Sequence, residues 1–263
     1  MTNRRGKRCH VGTILVVGGT GMLGADLLRA IADRGHHVRA VTRHPKKAKA
    51  PDGVDVVHGD LATGDGVDLA MKGVDAVLHA ATAPTNSMRI DIEGTRRLVT
   101  AAANEGVAHL LYVSNVGIDV IPYSYYRGKF AAEQIVEIGR VPWTIQRLTQ
   151  FHPFIGLLLG KLSAGPLTVA PMSVPLQPIG TADAADCLAT VLDAGPSGHL
   201  PDRGGPRVES FVELAAQWRK ANRNGGGVLP VPVPGGLARA LRDGGATCPD
   251  GAVEGQTFGD WLA

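Results

Sequence analysis

Most features of a stapled, metal-bound or membrane-spanning protein are missing from this chain. It has three cysteines, Cys9, Cys187 and Cys248, scattered with no CxxC pair. That argues against a disulfide framework or a cysteine zinc site and suits a reducing cytoplasm. The nine histidines show no metal-ligand spacing, so no metal is expected. The longest apolar stretch beyond the first strand-like run, Phe154–Leu159, is far too short to cross a bilayer. A basic stripe is lacking too. The net charge is +3, but Arg4, Arg5, Lys7 and Arg8 supply four of the 27 basic side chains, leaving 23 against 24 acids elsewhere. No nucleic-acid partner is expected from such a balance. Residues 1–10 are expected to form a disordered, solvated basic tail.

That tail followed by Val11–Val17 imitates the charged and apolar parts of a secretory signal. Gly18, Gly19 and Gly21 break the run, Asp26 follows, and no small-residue cleavage pattern stands out. The expectation is therefore a cytoplasmic protein with no membrane partner, a monomer or homodimer acting on a small molecule. With 44% hydrophobic and 19% charged residues over 263 positions, the composition is that of a globular protein with a sizeable core.

Between residues 13 and 147, short β-rich runs alternate with helical patterns. Strands are expected at Thr13–Val17, His37–Thr42, Val54–His58, Val74–Ala80, His109–Ser114 and Trp143–Arg147. Helices are expected at Met22–Arg34, Met88–Glu105 and Ser124–Ile138. Continuous apolar strands such as Ile14–Val17 suit a sheet buried on both faces. The alternation implies right-handed crossovers and an α/β, doubly wound parallel sheet of the Rossmann kind. After Gln150 the rhythm changes. Residues 151–180 hold five prolines and read as irregular, followed by helices at Asp183–Asp193 and Phe211–Arg223, a strand-like Val228–Pro234 and a last short helix. The expected division is a dinucleotide-binding domain over 11–150 and a smaller C-terminal substrate-binding region over 151–263 that does not fold independently.

The strongest motif follows the first strand. Gly18, Gly21 and Gly24 recur three apart between an apolar strand and a helix. The first glycine permits a tight turn, the second lets backbone approach a pyrophosphate, and the third lets the helix pack closely. The helix N-terminus then offers free N–H groups and a positive dipole end to phosphates. A Walker loop is excluded, because no Gly-Lys-Ser/Thr follows. Cofactor choice is read at the end of the second strand, where an acid suits NAD and an arginine suits the 2′-phosphate of NADP. Here stands Val41-Thr42-Arg43-His44-Pro45-Lys46-Lys47, with no acid. Arg43 offers a planar donor fork, with Lys46 or Lys47 adding charge, so NADP(H) is the expected cofactor.

GGTGMLG at 18–24, GDL at 59–61, YVSN at 112–115, YYRGK at 125–129 and WTIQR at 143–147 occur in one order. Together they resemble an atypical or extended short-chain dehydrogenase/reductase on the NmrA-like side of that superfamily. The resemblance spans nearly the whole chain and is specific through about residue 155. It implies that Gly18, Thr20, Gly21, Met22, Leu23 and Gly24 line the pyrophosphate loop, and that Asp60 and Leu61 lie beside the adenine. It implies that Ala80, Ala81 and Thr82 lie along the nicotinamide ribose. Tyr125 and Lys129 match the family's Tyr-x-x-x-Lys pair and Ser114 its serine, though this chain has Ser114-Asn115 where many members show Ser-Ser or Ser-Thr. The pair also has a local rationale, since i, i+4 spacing puts both side chains on one helix face. A tyrosine normally titrates near pH ~10, and a neighbouring ammonium with an oxidised nicotinamide favours its phenolate. Tyr125 could then pass a proton to or from a carbonyl oxygen, while Lys129 holds the ribose and Ser114 steadies the substrate.

Tyr123 and Tyr126 compete with Tyr125 locally, but only Tyr125 has the lysine spacing. His79, in a buried-looking strand, reads as a satisfied core histidine. Gln150, Phe151 and His152 follow the sixth strand, where open α/β sheets bind ligands, and are expected to line the substrate pocket. Asp183 and Asp186 read as helix-capping or structural acids. These features support an NADPH-dependent oxidoreductase reducing a small or medium apolar carbonyl or quinone-like substrate. Two other classes share the loop: a non-catalytic NADP(H)-sensing regulatory protein, and a nucleotide-sugar epimerase or dehydratase-like enzyme.

Overall fold

The computed structural model describes residues 12–83, 85–223 and 226–263. The basic tail and Cys9 lie outside the described residues. Through residue 148 the chain runs β1 (Thr13–Val17), α1 (Gly24–Ala32), β2 (His37–Thr42), β3 (Asp55–His58), α2 (Val67–Met71) and β4 (Ala76–His79). A π-helical turn, Met88–Gly94, leads into α3 (Thr95–Asn104), then β5 (His109–Asn115), α4 (Ser124–Glu137) and β6 (Trp143–Leu148). The C-terminal part adds α5 (His152–Lys161), β7 (Ser163–Ala164), β8 (Leu167–Pro171), β9 (Pro175–Leu176), α6 (Thr181–Ala194) and β10 (Gly198–His199). It ends with β11 (Glu209–Ser210), α7 (Phe211–Ala221), β12 (Gly227–Val231), α8 (Gly236–Arg242) and α9 (Phe258–Leu262).

Seven strands form one sheet in the order β10-β6-β5-β4-β1-β2-β3, every pair parallel. Alternate residues of β1 divide between two cores, as a period of two demands. Ile14 and Val16 join Leu27, Leu28 and Ile31 of α1 and Leu188 of α6 on one face. Leu15 and Val17 join Met71, Leu98 and Val136 from α2, α3 and α4 on the other. This is the doubly wound Rossmann arrangement, and its strand order changes direction between β1 and β4, where such sheets open a crevice. No helix among the described residues is long and apolar enough to cross a membrane.

Three expectations are corrected. The helix expected over Met88–Glu105 opens as a π-helix and becomes α-helical only at Thr95. The wide turn carries Asp91 inward, buried, beneath the loop after β4. Residues 151–180 are not wholly irregular. Pro153 occupies the first turn of α5, where a missing N–H costs nothing, so the proline starts a helix instead of breaking one. The sheet also has a seventh strand, supplied from beyond the expected boundary: β10 pairs Gly198 with Thr144 and His199 with Ile145. Helix α6 packs on α1, with Arg34 and His36 reaching Asp186 and Asp193.

Candidate dinucleotide and catalytic site

The glycine loop turns at the carboxyl end of β1. Gly18 has φ +102°, open to glycine alone without strain, and a Cβ there would meet Ala81 N at 2.6 Å and Ala80 C at 2.7 Å. The first glycine therefore also lets the loop after β4 lie directly against the turn. A Cβ on Gly24 would run into the Gly19 carbonyl, so the third glycine is required by the loop folding over the first turn of α1. Gly21 N donates to Gly18 O at 2.9 Å and Gly24 N to Gly21 O at 3.0 Å. The amides of Thr20, Met22 and Leu23 make no such bond among the described residues, and no side chain caps α1. These are the groups a pyrophosphate can take.

Beside this loop, β2 and β3 end together. Gly59 N donates to Thr42 O at 3.1 Å, and Asp60 accepts from Ala62 N at 2.8 Å, shaping the GDL turn. Leu61 is buried, and its carbonyl accepts from Arg97 at 3.0 Å. Arg43, Lys46 and Lys47 are exposed at the end of β2 and form no ion pair among the described residues.

The chemistry-bearing groups gather around β4, β5 and α4. Thr82 Oγ1 lies 3.0 Å from the Tyr125 hydroxyl and 2.6 Å from Asp91 Oδ1. Lys129 is buried on the same helix as Tyr125. Its ammonium donates to the Val113 carbonyl at 2.7 Å and lies 4.1 Å from the centre of the Tyr112 ring. Burial pushes Lys129 down to about 8, opposed by the charges of Asp91 and Glu133. Burial also pushes the Tyr125 phenol up, against the Thr82 hydrogen bond, which lowers it. The local argument from spacing anticipated a lowered phenol. Desolvation wins, and the ammonium is turned to Val113 and the Tyr112 ring. Ser114 is buried at the end of β5, and its hydroxyl has no hydrogen-bond partner among the described residues.

Of the three residues after β6, the structure brings two to different places and removes the third. Gln150 lies beside Tyr126, whose phenol burial pushes up and the Gln150 amide pulls down, and its Oε1 is buried with no partner among the described residues. Phe151 caps α5 and packs against the core. His152 is fully buried, its Nε2 3.1 Å from Pro178 O and its ring 5.8 Å from Phe258 and 6.0 Å from Trp261. It is a packing residue, turned inward as the first residue of α5.

Sequence reasoning missed several neighbours. Asp91 carries no local signal. His79 does bond Thr95 at 2.9 Å, but its Nδ1 has no partner among the described residues and its ring sits 5.2 Å from Tyr112. Burial holds His79 neutral, down to about 3, with Lys129 adding to the effect. Arg147 of the WTIQR motif grips buried Glu133 through two bonds, 2.9 and 2.8 Å, and Asp119 at 3.0 Å. Glu133 follows Lys129 by four and Tyr125 by eight, so its place on the same helix face was open to a periodicity reading. Glu133, Glu137 and His199 come together, but Arg147 and His199 already engage the two carboxylates.

An apolar groove of about 860 Å³ runs beside the glycine loop. Thr20, Gly21 and Met22 form one side; Pro153, Gly156 and Leu157 of α5, with Trp218 and Trp261, form the other. The bare loop amides, the Gly18 cradle and the unpartnered Ser114 hydroxyl together fit a dinucleotide with a substrate beside it.

A family model described as NAD(P)H-binding matches residues 18–156. The chain is 30% identical over 209 residues to the (4-alkanoyl-5-oxo-2,5-dihydrofuran-3-yl)methyl phosphate reductase of Streptomyces griseus subsp. griseus, covering 78% of this chain and 72% of the reductase. It is 28% identical over 159 residues to a 3-beta-hydroxysteroid dehydrogenase of Mycolicibacterium neoaurum, covering 49% of this chain and 43% of that one. The match thus spans less than half the length of the steroid dehydrogenases it resembles. Among solved structures, an NADPH-dependent quinone oxidoreductase from Escherichia coli shares the fold, with a TM-score of 0.74 at 19% identity over 95% of this chain and 98% of that one.

Proposed function

The chain belongs to the NAD(P)H-binding family, in the atypical, NmrA-like group of short-chain dehydrogenases/reductases, and we propose that it is an NADPH-dependent oxidoreductase reducing a small or medium, largely apolar carbonyl or quinone-like compound. One observation carries this reading. The Tyr125 hydroxyl is tied at 3.0 Å to Thr82, in the loop whose Ala80 and Ala81 touch Gly18, so a proton donor stands beside the dinucleotide cradle. A bound nicotinamide supplies the hydride. Tyr125 gives its proton to the substrate oxygen and Ser114 steadies that oxygen, with Lys129 one helix turn from the phenol, where it would hold the ribose. Arg43, with Lys46 or Lys47 adding charge, reads the 2′-phosphate. Residues 151–263 form the substrate-binding part. Met22, Leu157, Trp218 and Trp261 give the groove an apolar wall, with Lys161 at its lining, which suits a largely apolar substrate. The phosphate reductase and the quinone oxidoreductase described above support the reaction class.

The test is NADPH consumption by purified protein on a panel of aldehydes, ketones and quinones. Turnover on a panel member is expected, with Tyr125→Phe slowing it by roughly 10²–10⁴-fold. Equal rates in parent and variant would remove Tyr125 from the mechanism. A second reading, a dinucleotide sensor, is favoured by the upward push on Tyr125 and by the commitment of Lys129 to Val113. Tight NADP+ binding with no turnover across the panel would select it.

A further inference from the structure

Helix α5 has two faces. His152, Ile155 and Leu159 are buried against the core. Pro153, Gly156, Leu157, Gly160 and Lys161 recur at helical spacing on the side that lines the groove. Glycine is a poor helix former, so two of them one turn apart in a ten-residue helix need a reason. The space supplies it. A Cβ on Gly156 would stand 3.1 Å from Trp261 Cη2, and one on Gly160 3.9 Å from Trp218 Cζ2. The indoles of α7 and α9 therefore lie over a glycine floor. Leu157, 60% exposed, and Met22, 41% exposed, add open apolar surface beside them, as a ligand groove requires.

The groove also has a direction. β6 runs parallel to β1 through β5 and β4, so α5 leaves from the sheet edge at which the glycine loop turns. Pro153 thus opens the face at the loop end. Lys161 closes it at the other, about 12 Å away at ~1.5 Å per residue. The polar side chains of the far half are of one kind. No acid lines the groove, and Lys161 is its single charged side chain. Trp218 Nε1 lies 3.9 Å from where a Gly156 Cβ would stand. Neither indole N–H nor the Lys161 ammonium bonds any described residue. Both groups only donate, so an apolar slot ends in donors that call for an acceptor, and an anion suits them best.

We propose that the groove takes an amphiphilic substrate. Its apolar chain lies along α5 against the indoles, its terminal carboxylate or phosphate is held by Lys161, and its carbonyl stands at the glycine-loop end. Turnover of such a compound rests on the function proposed above, whereas the binding preference belongs to the free protein. That preference is read from the tryptophan fluorescence of the protein titrated with decanoate, decyl phosphate, decanol and decylamine. One acid at least should bind saturably and about tenfold more tightly than decanol, with decylamine weakest; the tighter acid names the head group. Lys161→Met, which keeps an apolar stem, should bring the acids to the level of decanol and leave decanol unmoved. Leu157→Glu, at an exposed position, should abolish binding of the acids and so locate them in the groove. Equal affinity for acids and decanol, or a preference that survives in either variant, overturns the proposal. NADPH consumption with decanal and with the ω-oxo acid of the same length separates the two ideas. The oxo acid should have the higher kcat/KM, by about tenfold, in the parent and not in Lys161→Met. Acid-selective binding without any turnover sinks the reductase reading and leaves the groove its ligand. Turnover of both carbonyls at equal efficiency keeps that reading and sinks the assignment of Lys161.

Discussion

At the scale of single residues, what was legible in the sequence was chemistry set by near neighbours. Gly18, Arg43 and the Tyr125/Lys129 pair announce themselves by spacing along a strand end or one helix turn. Asp91, His79 and the Arg147–Glu133 pair do not, because their partners lie 9 to 16 positions away and are chosen by packing. His152 shows the converse failure: its position after a strand was readable, but the turn into α5 that buries it was not. Arg43 gives a direct prediction. Loss of one charge-assisted contact set should cost NADP+ about 10–100-fold in affinity in Arg43→Ala, with NAD+ affinity nearly unchanged; equal losses for both dinucleotides would remove it as the 2′-phosphate reader. A pH prediction follows from buried histidines. Burial lowers His109 from its ordinary 6.5 to about 4 and His79 to about 3. Below pH 6.5 the unfolded chain therefore takes up protons that the folded chain refuses, so stability falls on acidification. His109 bonds Thr144 at 2.9 Å, a contact glutamine can keep. His109→Gln should flatten the decline between pH 6.5 and 4 by on the order of 3 kcal/mol in urea titrations.

At the scale of elements, strands and long helices were readable because their periodicity is dictated by which faces are buried. The π-helical turn and α5 were not. The first depends on Asp91 reaching the loop after β4, the second on whether a proline falls at a helix start or inside a helix. Helix α4 carries Tyr125 and Lys129, and its placement against β6 relies on Arg147 holding Glu133, whose side chain is 1% exposed. Removing one partner of such a buried pair costs about 3–5 kcal/mol. Arg147→Met should therefore lower the melting temperature by roughly 10 °C in calorimetric scans. A change of a degree or less would mean that other contacts fix α4.

At the scale of the whole molecule, the alternation of strands and helices through residue 147 made the doubly wound sheet legible, since few topologies satisfy two buried faces. The C-terminal part was less so: its strands are two to five residues long and its helices interleave with prolines. It is nonetheless woven into the first part, with β10 extending the sheet and α6 covering α1. A chain cut after residue 150 leaves Leu27, Leu28 and Ile31 without the α6 side chains that pack with them. It should give no cooperative unfolding transition, and a sharp transition would show that the first 150 residues fold alone. The claim beneath all of this is that the Gly18–Gly24 turn is built to hold a nicotinamide dinucleotide. Calorimetric titration of NADP+ and NAD+ into the parent protein and a folded Gly18→Ala variant tests it most directly. The account predicts saturable one-to-one binding in the parent, tighter for NADP+, and loss of both signals in the variant, whose added Cβ meets the backbone of Ala80 and Ala81. Binding of neither dinucleotide to the parent, or equal binding to the variant, would contradict it.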